Sequence, residues 1–190
     1  GQAPFLPADL DEHLVRTFIT RSVVSYNTFK TGAANKDQLK YCGNVAPYKT
    51  DFSIISENRF LDPGAVSWMV SIGPQNTSTQ EFLENIIVER NVWDVGNADG
   101  KVALQSRNGD DITIRNNIFK GVRTCISPSQ PLFNFSTFDR WHITNNTAYK
   151  NSGNDFAFII ITDASHLISG LVVSNNIVSV SGTIGVIAAI

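Results

Sequence analysis

A short phrase that recurs six times along the chain constrains its fold more than any other feature. The phrase reads apolar, any residue, apolar, two further residues, Asn, any residue, apolar, as in IIVERNVW and ITIRNNIF. The phrases occupy 23–29, 53–60, 86–93, 112–119, 142–149 and 171–178, with asparagines at Asn27, Asn58, Asn91, Asn117, Asn146 and Asn176. These asparagines are separated by 31, 33, 26, 29 and 30 residues. A period near thirty residues indicates a solenoid of stacked turns, and its variation indicates loops of different length.

Each phrase alternates apolar and polar residues and is rich in Ile and Val, which is typical of a half-buried β-strand. The Asn suits a sharp bend, because Asn tolerates left-handed backbone geometry and bonds nearby main chain. Second apolar segments fall between the phrases: DQLKYC at 37–42, SWMVSI at 67–72, KVALQS at 101–106 and FAFIIIT at 156–162. We therefore expect at least two strands in each turn.

Phrases that recur in one direction can pair in register only when each turn lies over the last, with strands ~4.8 Å apart. The sequence therefore predicts an all-β fold, a right-handed parallel β-helix solenoid of about six to seven turns of roughly 30 residues. It is expected to form one domain over residues 1–190. The repeated asparagines would form a ladder along one corner, each amide bonding the next. Trp93 follows its Asn where other phrases have Phe, which favours a core position.

The composition narrows the classes of partner. Hydrophobic residues make up 42% of the chain, charged residues 17%, and the net charge is −2, so neither disorder nor nucleic-acid binding is indicated. No apolar run reaches the ~18 residues of a membrane span. Cys42 and Cys125 lack metal-type spacing and are interpreted as core residues. No metal site is predicted, and no motif identifies a cofactor, calcium included.

The phrases resemble those of right-handed parallel β-helix proteins of the pectate-lyase-like superfamily, over residues 13–190. That superfamily includes polysaccharide lyases, glycoside hydrolases, carbohydrate esterases, phage tailspikes and adhesins, so the resemblance implies the fold and leaves the activity open. It implies a polysaccharide partner and a secreted or cell-surface location, with a periplasmic one also compatible. A solenoid exposes an apolar cross-section at each end, and GVIAAI at 185–190 resembles a strand of a further turn. We expect missing chain or another subunit to cover the ends.

Sites in this superfamily usually lie on the outer face of stacked strands, which directs attention to polar residues of the first two turns. The segments DEHLVRTF at 11–18 and NKDQLKYC at 35–42 become stacked strands if Leu14 and Leu39 both face the core. The predicted catalytic residues are His13, Arg16, Lys36 and Lys40. Arg16 suits a bidentate contact with a sugar carboxylate, and Lys36 or Lys40 is the candidate base. A solvated, charged sheet face would give the same pattern.

Elimination at a uronic acid needs cations that neutralise the sugar carboxylate and a base that removes the C5 proton. The cluster therefore favours a lyase on an acidic polysaccharide over a hydrolase, for which Asp110 and Asp111 offer a carboxylate pair that turn chemistry also explains. Two alternatives stay open: a non-catalytic carbohydrate-binding or attachment module, as in a tailspike or adhesin, and a structural spacer. The candidate substrate-binding residues are Trp68, Trp141 and Arg107.

Overall fold

The structure of the chain is a computed structural model. It describes residues 13–17, 21–30, 37–41, 52–61, 68–73, 83–96, 101–106, 109–128, 139–151, 156–161, 169–181 and 186–189. All regular secondary structure in these segments is β-strand, and every strand pair is parallel. The fold is a parallel β-solenoid, which confirms the all-β, repeat-built architecture expected from the sequence.

Three sheets form the solenoid, and the chain visits them in a fixed order. The first sheet contains seven strands: β1 (His13–Thr17), β4 (Asp37–Tyr41), β7 (Trp68–Ile72), β10 (Val102–Ser106), β13 (Thr124–Pro128), β16 (Ala157–Ile160) and β19 (Val186–Ala189). The second contains six: β2 (Val23–Ser25), β5 (Ser53–Ser56), β8 (Glu84–Glu89), β11 (Asp110–Arg115), β14 (His142–Thr144) and β17 (Val172–Ser174). The third also contains six: β3 (Thr28–Lys30), β6 (Arg59–Leu61), β9 (Val92–Asp94), β12 (Ile118–Lys120), β15 (Thr147–Lys150) and β18 (Ile177–Val180).

The repeated phrase supplies two strands and the bend between them. Its first apolar residues form a strand of the second sheet, and the residues after the Asn form a strand of the third sheet. The apolar segments between phrases form the first sheet, as predicted, and Val186–Ala189 pairs in parallel with Ala157–Ile160. The prediction missed Thr124–Pro128, which occupies the same position in the first sheet between its neighbours.

Columns of like residues fill the interior, because each turn places the same side-chain type over the last. In the third sheet, four aromatic rings stack face to face along one column: Phe29, Phe60, Trp93 and Phe119, with centroids 4.9, 5.0 and 4.8 Å apart and interplanar angles of 6°, 13° and 15°. Trp93 is fully buried, which confirms its predicted core position. Ala148 takes the next place in this column, and Phe158 of the first sheet meets Phe119 edge-on at 6.4 Å.

The repeated asparagines form the ladder that the sequence predicted. The backbone N–H and the Nδ2 of each Asn from Asn27 to Asn146 donate to the Oδ1 of the Asn one turn on, over 2.9–3.2 Å. Each Nδ2 beyond the first turn also donates to a backbone carbonyl of the preceding turn, over 2.8–3.0 Å. Asn58, Asn91, Asn117 and Asn146 are at most 1% exposed, so these bonds satisfy amides that water does not reach.

The bend itself differs from the prediction, which assigned left-handed backbone geometry to the ladder asparagines. The left-handed residue is the one immediately before each ladder Asn, with φ between 52° and 59°: Tyr26, Glu57, Arg90, Asn116, Asn145 and Asn175. We call these six the corner residues. Asn fills three of the six places, in keeping with its tolerance of this geometry. A second left-handed set, with φ between 39° and 67°, precedes or opens the strands of the second sheet: Arg21, Phe52, Asn85, Asp111, Arg140 and Gly170.

In the last described strand of the second sheet, apolar residues are exposed to solvent. Val173 continues the buried column of Ile114 and Ile143 in the second sheet, yet 47% of its surface is exposed. Coverage of this end by another chain stays a prediction.

Candidate functional site

Three of the four predicted catalytic residues lie on the two strands at one edge of the first sheet. Strands β1 and β4 pair in parallel, with Arg16 opposite Lys40 and His13 opposite Asp37. Arg16 and Lys40 are therefore separated by one strand spacing, ~4.8 Å along the sheet. Lys36 lies outside the described residues. The structure thus brings two of the four predicted residues to one register position.

The alignment of these two strands differs by one residue from the expected one. Val15 pairs with Leu39, which is fully buried, so the expectation that Leu14 shares the face of Leu39 is wrong. Successive residues of a strand alternate between its two faces. His13 and Arg16 are three residues apart, so their positions belong to opposite faces of the sheet.

A row of polar residues continues across the sheet from this pair. Lys40 pairs with Ser71, Ser71 with Gln105, and Gln105 with Ser127. We call Arg16, Lys40, Ser71, Gln105 and Ser127 the polar row. One residue earlier in each strand, the register is aliphatic throughout the same five strands and the next: Val15, Leu39, Val70, Leu104, Ile126 and Ile159.

The centre of the polar row is covered. Ser71 is 1% exposed and Gln105 is 6% exposed, while Ser127 is half-buried. The Oε1 of Gln105 is buried and accepts no hydrogen bond among the described residues. A buried carbonyl oxygen without a hydrogen bond costs about 1–3 kcal/mol of stability.

The two tryptophans among the predicted substrate-binding residues do not lie on the polar row. Trp141 is fully buried and its Nε1 donates to the carbonyl of Gly109 at 2.7 Å, so it is a core residue; the prediction that its ring stacks on a sugar is wrong. Trp68 is half-buried, three residues before Ser71 in β7, and therefore at a position of the opposite face. Arg107 lies outside the described residues.

Asp110 and Asp111, the carboxylate pair considered for hydrolysis, make contacts with the next turn of the solenoid. Asp111 has left-handed geometry and forms a bidentate ion pair with Arg140, at 2.6 and 2.7 Å. This hydrogen bonding holds the pKa of Asp111 below its usual value and raises the pKa of Arg140. Asp110 accepts the backbone N–H of Asp139 at 3.1 Å. Both side chains thus stabilise the stacking of one turn on the next, as turn chemistry alone predicts.

Several cations of the second and third sheets are paired with carboxylates, most of them across turns. The pairs, with N–O distances of 2.6–2.8 Å, are Arg90–Glu57, Arg90–Glu89, Arg115–Glu89, Lys120–Asp94 and Arg140–Asp111. The hydrogen bond from Lys120 to Asp94 raises the pKa of that lysine, which opposes a role as a general base. These paired groups offer no second basic site for an anionic ligand.

The remaining chemistry-bearing groups are structural. Cys125 is fully buried, which raises the pKa of its thiol and confirms its predicted core position, and Cys42 lies outside the described residues. Within the described segments, no group of three or more His, Cys, Asp or Glu residues could hold a metal ion.

The chain matches no protein-family model, no curated protein and no solved structure. None of the described segments forms a helix long and apolar enough to cross a membrane. Functional assignment therefore depends on the geometry of the polar row.

Proposed function

We propose that the chain is a lyase that cleaves an acidic, uronate-containing polysaccharide by β-elimination at the polar row. The observation that carries the proposal is the parallel register in which Arg16 and Lys40 are direct partners. Their positions are adjacent on neighbouring strands, the arrangement that a carboxylate-binding group and a base acting on the same sugar require.

Arg16 would hold the sugar carboxylate through a bidentate contact and stabilise the charge that develops when the neighbouring C5 proton leaves. Lys40 would take that proton, provided that neighbouring positive charge lowers its pKa. The C–H electron pair then forms the C4–C5 double bond, the C4–O glycosidic bond breaks, and the leaving oxygen takes a proton from water.

We further propose membership in the pectate-lyase-like superfamily, with the right-handed coil of those proteins and a secreted or cell-surface location. The parallel three-sheet solenoid and the Asn ladder support this proposal. The polysaccharide is the proposed partner, and calcium is one candidate for additional neutralisation of the substrate.

A second candidate function is carbohydrate binding without cleavage. The burial of Ser71 and Gln105 favours it, because they add no accessible reactive group beside Arg16 and Lys40, and Asp110 and Asp111 are occupied in the turn. Such a module would hold an anionic chain through Arg16 and Lys40 and leave it intact. A structural spacer would do neither.

The test is incubation with a panel of polyuronates, with and without calcium, while the ultraviolet absorbance of the unsaturated product is followed. Lys40→Ala and Arg16→Ala should abolish the rise, and Arg59→Ala, which removes an exposed arginine of β6 in the third sheet, should leave it unchanged. Binding that is lost in the first two variants without any rise would establish the non-catalytic module. If no polyuronate is cleaved or bound, the proposal is overturned and a structural spacer is favoured.

A further inference from the structure

Three of the corner residues are asparagines that occupy equivalent places on successive turns. Asn116, Asn145 and Asn175 are all exposed and have φ of 55° or 56°. The backbone N–H groups of Asn116 and Asn145 donate to a carbonyl one turn on, at 3.3 and 3.2 Å. Their side chains therefore project from the same edge of the solenoid, where the second sheet meets the third.

The three differ in the residue two places further along the chain. This residue is Ile118 after Asn116, Thr147 after Asn145 and Ile177 after Asn175, and the three are register partners in the third sheet. Asn145 is therefore the one of these three that carries the Asn-x-Thr acceptor pattern for N-glycosylation. The other two patterns in the chain, at Asn76 and Asn134, lie outside the described residues.

The Asn145 amide is also unoccupied. Within the described part of the chain its side chain makes no hydrogen bond, whereas its neighbour Asn146 is fully buried and uses its Nδ2 in the ladder. A substituent on the Asn145 Nδ2 would thus break no existing bond and displace no packed group. The same substituent on Asn146 would destroy the ladder at that turn.

We infer that Asn145 is a glycan-attachment site. The amide nitrogen attacks C1 of a lipid-linked oligosaccharide pyrophosphate; the new C1–N bond forms, the C1–O bond to phosphate breaks, and the nitrogen gives up one proton. The inference rests on the secreted location proposed above and is independent of the lyase chemistry. The glycan would project from the edge between the second and third sheets, so it would lie away from the polar row of the first sheet.

The test is secretion of the full chain from a eukaryotic host, followed by peptide mass mapping before and after treatment with a peptide N-glycosidase. The peptide that contains Asn145 should carry a glycan in most molecules, and the enzyme should leave aspartate there. Thr147→Val, which keeps the β-branched shape of the side chain, should reduce occupancy to background. Ile177→Thr should create a second occupied site at Asn175, because the backbone there is equivalent.

Melting curves of the secreted variants show whether each one folds. An unmodified Asn145 in folded, secreted protein would overturn the inference, and most clearly so if Asn175 became modified in Ile177→Thr. Lyase activity is measured separately on the same preparations, so loss of one result does not imply loss of the other.

Discussion

The edge between the second and third sheets and the face of the first sheet are built on the same repeat but differ in regularity. At the edge, the Asn ladder, the aromatic stack and the corner residues recur from turn to turn, and each ladder Asn bonds its successor. In the first sheet the row beside the aliphatic residues changes from Arg16 and Lys40 to Ser71 and Gln105, and the Oε1 of Gln105 has no hydrogen-bond partner among the described residues. The contacts that repeat from turn to turn stabilise the fold, so a functional site is expected where the sequence departs from the repeat.

The largest effect is expected in the aromatic stack. Trp93→Ala should lower the free energy of unfolding by about 3–5 kcal/mol, because it opens a cavity between Phe60 and Phe119 that neighbouring turns cannot close. Urea denaturation of the two proteins measures this difference.

Trp93→Phe is the matched control for that cavity. It should lower the free energy of unfolding by less than about 2 kcal/mol, since Phe already fills this place in adjacent turns. The change also removes the buried Nε1 of Trp93, which has no hydrogen-bond partner in the described segments. Equal losses in the Ala and Phe variants would contradict the assignment of stability to the stack.

The ladder should give the next effect. Asn117→Ala leaves the N–H and Nδ2 of Asn91 without their acceptor and the carbonyl of Val88 without its donor, with about 1–3 kcal/mol expected for such buried groups. Asn27→Ala, at the exposed first place of the ladder, is the control and should lose less. A melting experiment with no loss for Asn117→Ala would sink the role of the ladder.

The sequence alone predicts the regular part of the molecule well. The ladder, the stacked column that contains Trp93 and the strands of the first sheet around Leu39 and Val70 all follow from a phrase whose residue types repeat. Their repetition is itself the signal, because identical residues in successive turns must meet.

The irregular part is predicted less well, for physical reasons. A shift of one residue between β1 and β4 exchanges the faces of Leu14 and Val15, and only the pairing of the strands decides it. The burial of Trp141 depends on the carbonyl of Gly109, which is distant in sequence. The sequence does not indicate left-handed geometry at residues such as Arg21 and Phe52 of the second left-handed set, because these residue types are not typical of turns.

Gln105 allows the irregular face of the first sheet to be tested for its effect on stability. If its unpaired oxygen is a defect of packing, Gln105→Leu should raise the free energy of unfolding by up to about 1 kcal/mol, since a buried acceptor disappears. A stability loss above about 2 kcal/mol would show instead that the amide already has a partner, such as a buried water.

The smallest effect is a pH dependence on the regular side. Arg140 lowers the folded-state pKa of Asp111, with a lesser contribution from the charge of His142. The ion pair therefore stabilises the fold at pH values above the pKa of the carboxyl in the unfolded chain. This stabilisation is lost as the pH falls through the pKa of Asp111 in the folded protein. The pair is mostly exposed, so its contribution near neutral pH should be the smallest of these effects. Asp111→Asn keeps a residue that tolerates left-handed geometry, so its stability deficit should shrink towards zero between neutral pH and pH ~3 in urea titrations. A deficit that stays constant over this range would mean that backbone or packing changes, rather than the ion pair, join these two turns.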